Sequence, residues 1–252
     1  MANLGDFCLA DFIHKHLLTF CGEKGIISML SQKFIKNNKD MIYLELENSL
    51  IKPKPIFSRH DIERAGFKAY PYQLNLWVKK GYLKKLKGGL YMFSKAKVSK
   101  EIIANYLRQP SYISLEYALY WHNYTVDIPF QITSVTTKNT ARIQVENNIF
   151  IYYHVKPSVF NGFVNSDNFF VATAEKALVD LFYLHPKKFN NDEDFVEARF
   201  HEEMMKEKLD WSGLFSIAKL YNNKSLLRRL GLFQKYIFRL NNFEIYVQDM
   251  CQ

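Results

Sequence analysis

The chain has 252 residues, 48% of them hydrophobic and 16% aromatic, and carries a formal net charge of +9. This composition excludes a disordered tail and suits one large or two modest folded domains. No apolar run approaches the roughly 18 residues of a membrane-spanning helix, and Cys8, Cys21 and Cys251 are too few and too scattered for a disulfide framework. The first residues also lack the basic start and apolar stretch of a secretory signal. The expected compartment is a reducing cytoplasm, with no membrane partner.

In chain order, residues 1–40 form an N-terminal extension in which Ala10, Ile13, Leu17 and Phe20 recur on one helical face. Cys8, His14, His16 and Cys21 lie nearby, but His14 and His16 are two apart and do not face each other on a helix. No standard zinc spacing is met, so no metal is expected. Residues 41–51 read as a helix that Lys52-Pro53-Lys54-Pro55 terminates, since each proline lacks a donor and restricts its predecessor.

The next stretch organises the chain. Ser58 precedes Asp61 by three residues, a capping-box spacing, with Phe57 and Ile62 placed to meet as a hydrophobic staple. Gly66 then stops a short helix. A second helix starts at Pro71 and ends at Gly81, with Leu74, Trp77 and Val78 as its buried stripe. Tyr72, Gln73, Asn75, Leu76, Lys79 and Lys80 are expected on its open face. Tyr82–Leu86 and Leu90–Phe93 flank Lys87-Gly88-Gly89, a link that suits a hairpin. Helix, turn, helix and hairpin outline a winged helix-turn-helix, whose second helix enters the DNA major groove.

Charge supports this outline. Residues 56–100 contain eleven basic and two acidic residues, a net +9, and the other residues carry twenty-three of each sign. Such a concentration gains affinity from counterions released by phosphates but carries no sequence information. Arg59, Lys68, Lys79, Lys80, Lys84, Lys85 and Lys87 are therefore candidate phosphate contacts. Tyr72, Gln73, Asn75 and Leu76 are candidate base contacts, because Gln and Asn can pair with adenine and apolar groups can meet a thymine methyl.

A short helix over 100–108 closes this domain, and Pro110 marks the boundary. Beyond it, Ser114 is placed to cap a helix through Trp121-His122. Strand-like runs follow at 130–135, 141–145 and 149–155, separated by turn residues, so an antiparallel meander is expected. Phe169–Ala172 is a further strand. Thr173 caps a helix with Ala174, Ala177, Leu178, Leu181 and Phe182 on its core face. Helical stretches at about 192–208, 211–221 and 225–240 complete the chain. The expected fold is α+β: an N-terminal extension (1–40), a winged helix-turn-helix DNA-binding domain (41–110), and a C-terminal domain (111–252) of antiparallel strands and helices.

Two C-terminal motifs carry a resemblance. Ser111-Tyr112-Ile113-Ser114-Leu115-Glu116-Tyr117-Ala118-Leu119 and Ala172-Thr173-Ala174-Glu175-Lys176-Ala177-Leu178-Val179-Asp180-Leu181 follow a winged-helix pattern in order. Together they resemble the AbiEi family of bacterial type IV antitoxins, with its "YISLESAL" and "ATPEKALLDL" helices. Leu226–Gly231 is similar to that family's late "RRLG" turn. Lys87-Gly88-Gly89 replaces the family's usual Arg-Gly in the wing, and Ala174 stands where a proline precedes the Glu. The resemblance implies a cytoplasmic antitoxin that binds inverted repeats of double-stranded DNA upstream of its own gene and represses its operon. It further implies a C-terminal domain that counters a nucleotidyltransferase toxin without a stable complex, with Ser114, Glu116, Glu175 and Lys176 as motif residues. Read for themselves, Glu175 and Lys176 sit in the first turn of a helix, where dipole compensation and a surface ion pair suffice.

Nothing in the sequence calls for an enzyme or a cofactor. There is no Gly-rich phosphate loop, His201-Glu202-Glu203 lacks the second histidine of a zinc-protease helix, and no acidic residue has a lysine two places on, as many nucleases require. The alternative reading is a stand-alone winged-helix regulator, or a protein- or RNA-interaction module without a toxin partner.

Overall fold

A computed structural model describes residues 43–68 and 70–250, with side chains through Phe238. The extension expected over 1–40, with Cys8, His14, His16 and Cys21, lies outside the described residues. The fold is mixed α+β with two sheets, and no described helix is long and apolar enough to cross a membrane.

The first unit begins with a helix at residues 43–50 (α1), which buries Tyr43, Leu46 and Leu50 along one stripe. Strand β1 (Ile56–Ser58) leads into α2 (Arg59–Arg64), and α3 (Pro71–Lys79) follows. The start of α2 is fixed by Asp61, whose carboxylate accepts from Ser58 N–H and Ser58 Oγ at 2.7 Å each and from Lys54 Nζ at 2.5 Å. Its end is a Schellman motif: Gly66 at φ +84 donates to Glu63 O, and Phe67 donates to Ile62 O. Gly81 closes α3 in the same way, with Tyr82 N–H reaching Trp77 O.

The capping carboxylate has a pH signature. Partial burial pushes Asp61 up, but the hydrogen bonds from Lys54 and Ser58 outweigh it and hold its pKa at about 2, below the ordinary 3.8. A depressed carboxyl contributes stability that is complete above its unfolded pKa and is lost as pH falls through the folded one. Asp61→Asn is expected to cost about 1–2 kcal/mol in urea unfolding at pH 7. The same variant should show a flatter loss of stability between about pH 4 and pH 2 than the parent protein. An unchanged curve would remove Asp61 as the cap.

Strands β2 (Leu83–Lys85) and β3 (Leu90–Phe93) form the hairpin, and β1 joins it antiparallel in the order β1-β3-β2. Lys87–Gly89 makes one tight turn, with Gly88 and Gly89 at φ 75 and 77. Strand alternation divides this sheet's side chains. Phe57, Leu83, Tyr91 and Phe93 enter the N-terminal core with Trp77, whereas Ile56, Leu86 and Met92 enter the larger C-terminal core. The small sheet thus lies between the two cores and joins them.

Helix α4 (Lys100–Leu107) packs on the second sheet rather than on the N-terminal core: Tyr152 Oη donates to Ala104 O at 2.6 Å, and Asn105 bonds the backbone of Phe170. That sheet has the order β6-β7-β5-β4-β9-β8. Its strands are β4 (Ser111–Ile113), β5 (Gln131–Thr136), β6 (Ala141–Val145), β7 (Asn148–His154), β8 (Phe163–Ser166) and β9 (Phe169–Ala172).

The antiparallel meander is corrected here. β5 and β7 run parallel from Gln131↔Ile149 to Thr136↔His154, and β4 meets β9 parallel at Ile113↔Val171. Of the links among β5, β6 and β7, the β6–β7 one is a tight hairpin, with Glu146 at φ 52, and β8–β9 is another, through Asp167 and Asn168 at φ 49 and 69. The reason is burial: residues 132–136 are buried without alternation, so β5 takes an interior place between β7 and β4, as continuous burial on both faces requires. The chain crosses from β5 to the sheet edge and returns.

Helices α5 (Leu115–Trp121) and α6 (Ala174–Leu184) pack on each other; of the later helices α7 (Asp192–Glu197), α8 (Glu202–Lys208), α9 (Trp211–Lys219) and α10 (Lys224–Met250), α9 and α10 pack on α6, and α7 and α8 pack on α10. The helix expected over 192–208 is two, because Arg199 turns to φ 50 and Phe200 bridges to Thr125. Leu226–Gly231, likened to an "RRLG" turn, lies inside α10, in keeping with the helix expected over 225–240.

Candidate nucleic-acid interface

The face of α3 is set by Pro71 at its first position and by the burial of Leu74 and Trp77. Tyr72 is 58% exposed, stacks on exposed Tyr70 at 6.0 Å, and projects from the first turn. Asn75 is exposed, Leu76 half-buried, Lys79 exposed and Lys80 half-buried. Gln73 is the correction: it is 4% exposed and belongs to the buried side of the helix. Its position one turn before Trp77 places it beside the Leu74–Trp77 stripe, which is wider than the three apolar residues that define it in sequence. Gln73 is therefore unavailable for base contact, and Tyr72, Asn75 and half-buried Leu76 remain.

The predicted phosphate contacts lie around this helix. Arg59, Lys68, Lys85 and Lys87 are exposed. Arg59 pairs with Glu63 at 2.9 Å on α2, and Lys80 sits 5.4 Å from the Tyr82 ring. Lys84 differs from its neighbours. It shares the Met92 side of β2, which turns toward the C-terminal domain, and bonds Glu146 on the β6–β7 turn at 2.9 Å. Both groups are partly exposed, a setting in which such pairs contribute little to stability.

Two of the four motif residues of the C-terminal domain, Ser114 and Lys176, meet at one buried network, whereas Glu116 and Glu175 lie outside it. Lys176, expected at the surface, is fully buried, and its Nζ donates to Asp180 Oδ1 at 2.7 Å, to Val159 O at 3.0 Å and to Tyr221 Oη. The other carboxylate oxygen of Asp180 accepts from Tyr112 Oη at 3.0 Å and from Ser114 Oγ at 2.8 Å. Tyr221 Oη also donates to Asp180. The Lys176 ammonium stands 4.7 Å from the Tyr221 ring and 5.7 Å from that of Tyr112. The surface reading fails because α6 is buried over nearly its whole circumference, leaving only half-buried Glu175 among its early residues to accept from Asp210 N–H at 3.3 Å.

Electrostatics in this network follow burial. Burial lowers the pKa of Lys176, against the opposing charge of Asp180. Burial and the Asp180 carboxylate raise Tyr112 and Tyr221 far above the ordinary phenol range, so both hydroxyls remain donors. Asp180 and Tyr221 escaped sequence reasoning as site residues. The available signal was a Lys-Asp pair four apart in an otherwise apolar helix, since buried charges occur in pairs.

Ser114 does not cap α5 with its side chain, because Oγ is given to Asp180. Thr133 replaces it from β5, donating to Ser114 O at 2.7 Å and accepting from Tyr117 N–H at 3.3 Å. Between them, buried Leu115 adopts φ 59, a left-handed conformation unfavourable for a bulky side chain. Glu116 is half-buried. At the far end of α6, Arg229 is 1% exposed and donates to Phe182 O at 2.7 Å and Pro186 O at 2.5 Å, a cation placed against the negative helix terminus.

Among the described residues, no group of three His, Cys, Asp or Glu side chains is placed to hold a metal ion. No protein-family model matches the chain, and no curated protein matches it.

Proposed function

We propose that residues 43–93 are a winged helix-turn-helix that binds double-stranded DNA, with α3 in the major groove and the β2–β3 hairpin as the wing along the backbone. The observation that carries the reading is the coincidence of charge and shape. The +9 of residues 56–100 surrounds one helix whose outward side chains include Tyr72 and Asn75. Lys68, Lys79, Lys85 and Lys87 hold phosphates, and the amide of Asn75 and the ring of Tyr72 reach base edges. The protein acts as a cytoplasmic repressor of its own operon, at inverted repeats upstream of its gene.

The C-terminal domain is the antitoxin part of a type IV pair and counters a nucleotidyltransferase toxin without a stable complex. This part rests on the AbiEi-like motifs. That their residues Tyr112, Ser114, Lys176 and Asp180 share one buried network explains in physical terms why these residue types stand together. No catalysis by this chain is part of the proposal.

Replacing base-reading and phosphate-holding side chains should give different patterns. Asn75→Ala is expected to weaken binding to the upstream duplex by about 1–3 kcal/mol while leaving random DNA nearly unaffected. Gln73→Ala, by contrast, should lower thermal stability without changing the ratio of specific to random binding. Fluorescence anisotropy with both duplexes separates the two, and equal losses on both DNAs for Asn75→Ala would remove its base-reading role.

A further inference from the structure

Two tyrosines stand exposed at the leading end of α3. Tyr70 is its N-cap residue and Tyr72 lies in its first turn. They are 54% and 58% exposed, and their rings lie 6.0 Å apart and 16° from parallel. Among the described residues of 43–93, the only other large hydrophobic side chain left so exposed is Leu44 on α1.

Helix stability does not account for Tyr70. An N-cap is favoured as Ser, Thr, Asp or Asn, whose side chains accept a bond from the first turn. Tyr70 supplies only its carbonyl, which accepts from Gln73 N–H at 2.9 Å and from Leu74 N–H at 3.1 Å, and its side chain makes no cap bond. Pro71 holds Tyr70 in extended backbone, at φ −85 and ψ 149. Contact with Tyr72 orders the ring, which lowers the entropy lost on binding.

The surroundings name the occupant. No Asp or Glu occurs between Glu63 and Glu101, and Lys68 and Lys79, on either side of the pair in sequence, are exposed. An aromatic surface set in positive charge fits a polyanion that also presents apolar groups. Duplex DNA does so in its major groove, where the thymine C5-methyl is the apolar group among the base edges. The N-terminal residues of a recognition helix are the ones that reach those edges.

We propose that Tyr70 is a further base-reading residue and that the Tyr70–Tyr72 pair recognises thymine through its C5-methyl group. The inference rests on the reading of α3 as the major-groove helix and adds what that helix reads.

The test is fluorescence anisotropy of the full chain with the upstream duplex and with the same duplex made with deoxyuridine in place of thymidine. Uracil pairs with adenine as thymine does and lacks only the methyl. The uracil duplex should bind more weakly, by about fourfold for each methyl contacted, the loss expected for one buried carbon. Tyr70→Ala should weaken binding of the thymine duplex and narrow the ratio, and the double variant Tyr70→Ala, Tyr72→Ala should bind both duplexes alike. Tyr70→Phe should keep the ratio, since the ring and not the hydroxyl meets the methyl. Thermal unfolding should be nearly unchanged in all three, because both rings are exposed. Tight binding of the thymine duplex with equal affinity for the uracil one would overturn this inference alone. So would a thymine preference that survives in the double variant, or tighter binding of the separated strands, the mark of rings stacked on unpaired bases. No binding of either duplex would overturn the major-groove reading and this inference with it.

Discussion

Asp180→Ala is expected to destabilise the C-terminal domain by about 3–5 kcal/mol, the cost of leaving a buried charge without its partner. Asp180 accepts from buried Tyr112, Ser114 and Lys176 and from half-buried Tyr221. Its removal orphans the Lys176 ammonium and two or three hydroxyls at once. Lys176→Met should cost less, because the methionine fills the space and Asp180 keeps its hydroxyl donors. The double variant should remain well below the parent, since the hydroxyls of Tyr112 and Ser114 still lack an acceptor. Urea unfolding of the three variants checks this order, and a double variant as stable as the parent would show that the network contributes nothing beyond its ion pair.

The second large effect concerns the basic face. Replacing Lys79, Lys85 and Lys87 together by Ala should weaken binding to any duplex by about 10- to 100-fold at moderate salt, with the specific and random duplexes affected alike. The slope of log affinity against log salt should fall by roughly 2.7, from about 0.9 per phosphate contact. Lys84 is a separate case. Its Glu146 partner competes with phosphate for the same ammonium, so Lys84→Ala is expected to lose less than Lys85→Ala. An unchanged salt slope in the triple variant would place the phosphate-binding surface elsewhere.

Much of the N-terminal unit was legible because its signals are local. The capping box at Ser58, the stops at Gly66 and Gly81 and the Gly-rich hairpin turn each act within about six residues. What escaped depends on distant partners. β1, β4 and β8 are three or four residues long and exist only because another strand pairs with them. The parallel pairing of β5 and β7 is likewise a decision of the whole sheet, and turn residues alone read as consecutive hairpins. Gln73 and Lys176 went wrong for one shared reason: polarity was taken as exposure, whereas both sit on helices whose buried side extends beyond the apolar stripe. The roles of Tyr112 and Ser114 needed Asp180, which is 66 residues or more away in sequence.

The most direct test of the central claim is fluorescence anisotropy of the purified protein with duplex from upstream of its own gene and with a scrambled duplex, each at two salt concentrations. The account predicts tight binding to the upstream duplex, much weaker binding to the scrambled one, and a loss of affinity for both as salt rises. Equal binding to the two duplexes, or none to either, would contradict a sequence-reading repressor and leave the lysine-rich face to another polyanion.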